Sequence, residues 1–106
     1  MGKLVKWIGM FHVQPLVHNT ILHSSRGAFV NTVGLASSER EFCLLVERML
    51  KEDYQLQVIE VIEPEKLDER QHFGTIDDEL LELGRCLSID KRILFSTFHL
   101  YKNLDA

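Results

Sequence analysis

AFVNTVGLASSEREFCLLVERMLKED, residues 28–53, decides the fold, because the period of its apolar residues changes once along its length. Ala28 to Leu35 has the composition of a buried strand. From Ser38 onward Phe42, Leu45, Val46, Met49 and Leu50 form an apolar stripe with the three- and four-residue spacing of one helix face. Ser38 and Glu41 stand three apart at the switch, the spacing of a capping box, in which each side chain accepts from the other residue's backbone N–H. A strand feeding a capped amphipathic helix that runs to about Asp53 is therefore expected.

Upstream, Leu4 to Val17 mixes Val, Ile, Trp and Phe at alternating positions until Pro15, which predicts a strand that ends or bends near Gln14. His18 to Thr32 reads as a second hairpin arm, with Asn19-Thr20 and Ser24-Ser25-Arg26-Gly27 as candidate turns. Downstream, Leu56 to Ile62 alternates as a strand, and Pro64 is expected to stop it. A charged connector leads to a second helix, for which Thr75 and Asp78 form a loose capping box. In that helix Asp77, Asp78 and Glu79 occupy the first turn, and Ile76, Leu80, Leu83 and Leu87 face one way. Arg92 to Tyr101 closes the chain as a last strand.

The order strand, strand, strand, helix, strand, helix, strand predicts an α+β fold. Its sheet, mixed or antiparallel, has about four to five strands, with two helices packed on one face. With 106 residues, of which 45% are hydrophobic, residues 1–106 form a single globular domain with room for one core. The second sheet face then meets solvent, a second copy of the chain, or a ligand. The apolar runs fall far short of the roughly 20 residues needed to cross a bilayer, so a cytoplasmic location and no membrane partner are expected. Cys43 and Cys86 lie inside the helical patterns and read as small buried thiols, reduced in that compartment.

Charge is the strongest functional signal. Met1 to Leu35 contains no acidic residue, whereas residues 60–82 hold Glu60, Glu63, Glu65, Asp68, Glu69, Asp77, Asp78, Glu79 and Glu82 against Lys66 and Arg70, a net of −7 in a chain of −4 overall. These carboxylates form a local field suited to a basic partner, and the lack of clustered Lys and Arg argues against direct nucleic-acid binding. The bland alternative is a solvated surface, and the first turn of a helix accounts for Asp77, Asp78 and Glu79 without any metal or acid–base role.

The remaining polar residues carry less. His12 and His99 sit in the first and last strands in similar settings, Phe11-His12-Val13 and Phe98-His99-Leu100. As strand neighbours they could act as acid and base on a phosphodiester, or with His18 or His23 ligate zinc, but neither has a diagnostic spacing. Structural hydrogen bonding is the preferred reading, so no catalytic residue, metal or cofactor is assigned. Ser24-Ser25-Arg26-Gly27 lacks the glycines and following helix of a phosphate loop. Trp7 and Tyr101 are candidates for partner anchors or for the core.

Arg26-Gly27-Ala28-Phe29-Val30 leads through Val33-Gly34-Leu35-Ala36-Ser37-Ser38-Glu39 into a helix, and Thr97-Phe98-His99-Leu100-Tyr101 lies near the end of a small acidic α+β chain. In size, charge and layout this resembles bacterial immunity proteins of contact-dependent growth inhibition and related polymorphic toxin systems. The resemblance implies a non-enzymatic protein that neutralises a cognate toxin by binding it, and carries no functional residues over; the charge reading adds that the toxin is a basic nuclease domain and that the nine carboxylates are the contact pool. The alternatives are a small His-dependent phosphodiesterase or metal-binding enzyme, and an oligomeric ligand-binding regulatory domain, which could be a homodimer.

Overall fold

The computed structural model describes residues 3–16, 26–74 and 76–101. Its elements are β1 (Val5–Pro15), β2 (Gly27–Ala36), α1 (Glu39–Tyr54), β3 (Leu56–Lys66), α2 (Leu67–Phe73), α3 (Asp78–Cys86) and β4 (Ile93–Tyr101). The strands form one antiparallel sheet in the order β3-β1-β2-β4, which bears out the α+β reading. The candidate turns Asn19-Thr20 and Ser24-Ser25, together with His18, His23 and Thr75, lie outside the described residues.

The helices divide between the two faces of the sheet, where two on one face were expected. Alternation along β1 shows how. Trp7, Phe11 and Val13 point to one face and pack with Phe42, Val46 and Leu50 of α1. Ile8 points to the other and packs with Leu67 of α2 and Leu80 of α3. Ile76, Leu83 and Leu87 join this second cluster, as their common face predicts. Both sheet faces therefore carry apolar residues, and each demands its own cover.

Phe42, Val46 and Leu50 have no exposed surface. Burial of each contributes roughly 1.5–3 kcal/mol relative to exposure. Phe42 lies directly against the backbone of β2, where a Cβ on Gly34 would stand 2.6 Å from its ring. The start of α1 is fixed by Ser38, whose Oγ accepts from Glu41 N at 3.1 Å. The second half of the expected capping box is shifted by one residue: Glu41 Oε1 accepts from the N–H of Ser37, at 3.0 Å. The same oxygen takes Arg92 Nη2 at 2.6 Å, and Arg92 Nε donates to Leu35 O at 2.9 Å. One arginine thus ties β2, α1 and the approach to β4 together.

Two further expectations, both near β3, are corrected. Pro64 does not end β3, which runs on to Lys66. β3 is an edge strand, and the register slips between Ile8 and Met10, with Glu63 at φ 46°, so the proline sits at an irregularity rather than in a continuous ladder. The charged connector also holds a helix, α2, seven residues long. Near it, a Cβ on Gly84 of α3 would stand 2.7 Å from Leu67, so the missing side chain permits the close packing of α3 on α2.

Candidate functional site

The register converts the second face of the sheet into rows. One row runs Glu65–Ile8–Val33–Leu94, and its three apolar members lie under α2 and α3. Four residues along β1, about 13 Å at roughly 3.3 Å per residue, a second row runs Glu60–His12–Phe29–His99 across all four strands. Between them, Ile62, Met10 and Asn31 line a notch of about 50 Å³ with Glu63 and Arg70. The helices' apolar side chains serve the first row, and the second carries polar and aromatic groups instead.

His12 and His99 therefore do not sit on neighbouring strands. β2 lies between β1 and β4, and Phe29 separates the two imidazoles by two strand spacings, about 10 Å. The His12 ring stacks on Phe29 with centroids 4.6 Å apart and an interplanar angle of 16°. Its Nε2 shares a hydrogen bond of 2.5 Å with the hydroxyl of Tyr101, whose ring centroid lies 5.7 Å from that of Phe29. Tyr101 pairs with Gly27 in the ladder, and a Cβ there would come within 2.5 Å of the tyrosine oxygen. The glycine is what lets the tyrosine lie across the strand toward His12. His12, Phe29 and Tyr101 are half-buried, and Glu60 and His99 at the ends of the row are exposed.

Among the described residues no group of three or more His, Cys, Asp or Glu could hold a metal ion. The grooves along α1, about 270–320 Å³, are lined by residues such as Glu47, Lys51, Arg40 and Arg48 and hold neither histidine. Trp7 is a core residue whose Nε1 donates to Ala36 O at 3.0 Å, so of the two candidate aromatic anchors only Tyr101 lies on the second face.

The acidic pool gathers on that same side of the sheet. Asp68 and Glu69 are exposed in the first turn of α2, and Asp78 and Glu79 in that of α3. Asp77 is the α3 N-cap residue, with no side-chain capping bond; the negative charge complements the helix macrodipole instead. Glu63 and the half-buried Glu65 both pair with Arg70, Glu82 with Arg85 at 3.0 Å, and Glu79 accepts from Ser96 Oγ at 2.8 Å. Exposed pairs of this kind contribute little to stability. The sequence identified these carboxylates but missed Phe29 as their neighbour, although its place between the inward-facing Ala28 and Val30 marks it as facing the other way.

Cys43 is half-buried and Cys86 is exposed, which corrects the expectation of two buried thiols; both are free. No helix among the described residues is long and apolar enough to cross a membrane. No protein-family model, curated protein or solved structure matches this chain.

Proposed function

We propose that the chain is a toxin-neutralising immunity protein, a non-enzymatic inhibitor working in the bacterial cytoplasm. It binds a basic effector, a nuclease domain, through Glu60, Glu63, Glu65, Asp68, Glu69, Asp77, Asp78, Glu79 and Glu82. The observation that carries this reading is the convergence of these carboxylates on one side of the sheet, from β3 through α2 to α3. Carboxylates set out on a surface can occupy the places that phosphates take in a basic nuclease groove. A field of one sign also speeds encounter with a partner of the other. A few of the nine would dominate the binding energy.

Capture on immobilised wild-type chain, and on a variant carrying Asp77→Lys, Asp78→Lys and Glu79→Lys, tests the reading. A basic nuclease domain held by wild type at low salt, released at high salt and poorly held by the variant is the expected result. A partner held equally by both chains, or no basic partner, would show the acidic side to be a solubility feature.

A further inference from the structure

The second row of the sheet has a property that the acidic layer alone lacks. His12 and Phe29 lie nearly parallel in adjacent central strands, Tyr101 is held against both, and the row ends in the exposed carboxylate Glu60. Phe29 covers one face of the His12 ring, and the other, turned toward Glu60, is a flat face on which a planar cation rests better than a spherical one. A carboxylate one strand away stands within side-chain reach of a cation placed over His12, since paired residues lie about 5 Å apart.

We infer that this row is an arginine-docking platform: a guanidinium from the basic partner stacks on the face of His12 turned toward Glu60, extending the His12–Phe29 stack that Tyr101 holds in place, while Glu60 accepts its N–H groups. Charge complementarity selects this occupant. Glu60, which pairs with His12, opens the segment with a net charge of −7, a field that concentrates cations and outweighs the one exposed arginine, Arg26, at the Tyr101 end of the row. Arginine is favoured over lysine because its guanidinium is planar, weakly hydrated and able to hold a carboxylate through two N–H groups while it stacks. Asn31 and Met10, one row nearer the helices, border the same surface. The inference rests on the proposed binding of a basic protein and adds the place and the side chain by which it is gripped.

The test is an NMR titration of the full chain, at low salt, with hexa-arginine, with hexa-lysine and with inorganic phosphate. Hexa-arginine should shift the ring signals of His12, Phe29, His99 and Tyr101 and bind more tightly than hexa-lysine. Phe29→Leu and Glu60→Gln should each weaken arginine binding about two- to fivefold, leaving lysine binding much less changed. Glu60 is exposed, so its variant remains informative if Phe29→Leu fails to fold.

If both peptides bind equally and shift only α2 and α3, the platform is overturned while the acidic surface stands. If hexa-arginine binds the rings but the wild-type chain captures no basic partner, the proposed function fails and the row survives as a guanidinium site. Ring shifts produced by phosphate in place of the peptides, or by none of the three probes, would overturn the platform.

Discussion

On one face of the sheet a single helix of sixteen residues, α1, buries Phe42, Val46 and Leu50 completely. On the other, α2 and α3 have seven and nine residues, the same total length, and Leu67 and Leu80 are their buried apolar side chains among the described residues. The difference lies in continuity. α1 presents its stripe to the sheet over four turns, whereas α2 and α3 are separate short segments that turn part of their apolar surface toward each other at Gly84 and Leu67. A split cover leaves the far half of its face to side chains that need not be apolar, and His12, Phe29, His99 and Tyr101 occupy it. The continuous face serves stability, and the divided face carries the groups proposed to bind.

Truncation on each face is the largest challenge to that division. Phe42→Ala should cost about 3–5 kcal/mol, since the ring is fully enclosed and the rigid backbone at Gly34 cannot collapse into the void. Leu80→Ala should cost about 2 kcal/mol, the low end for such a change, because the short helices can settle toward the sheet. Urea denaturation of both variants measures the difference. Equal losses would show that the divided face is as much a core as the other.

The sequence made α1 legible because a strong 3.6-residue period and a polar cap agree with each other. α2 was hidden for the opposite reason: seven residues with acids in the first turn are too short for a period to emerge. Pro64 misled because the rule against proline applies to a strand bonded on both sides, and only the strand order reveals that β3 is an edge. The carboxylates of the site could be counted from the chain. The ring cluster could not, since it depends on His12, Phe29 and Tyr101 meeting through two non-local strand pairings.

A smaller effect separates the faces by pH. The N–H of Ser37, then the Arg92 guanidinium, hold the Glu41 carboxyl below its ordinary range. The folded chain therefore takes up this proton less readily than the unfolded chain. The resulting stabilisation is complete above the ordinary carboxylate range and is lost as pH falls through the lowered folded value. Glu41→Gln should lower stability at neutral pH and flatten the acid limb of the stability curve. An acid limb identical to that of wild type would show that the link from α1 to Arg92 contributes no proton-linked stability.

The smallest perturbation leaves the fold intact and reads the two faces through their thiols. Cys43 on α1 packs against the main core, and its thiol is pushed up chiefly by burial, with Glu39 and Glu47 adding to the rise. Thiolate is the reactive form, so both access and ionisation protect it. Cys86, at the end of α3, is exposed. Under native conditions a thiol reagent should therefore modify Cys86 first and Cys43 at a rate limited by opening of α1, with both reacting together in urea. Rapid native labelling of Cys43 would mean that α1 opens as readily as the helices opposite it, and the difference between a sealed face and a divided one would not survive in solution.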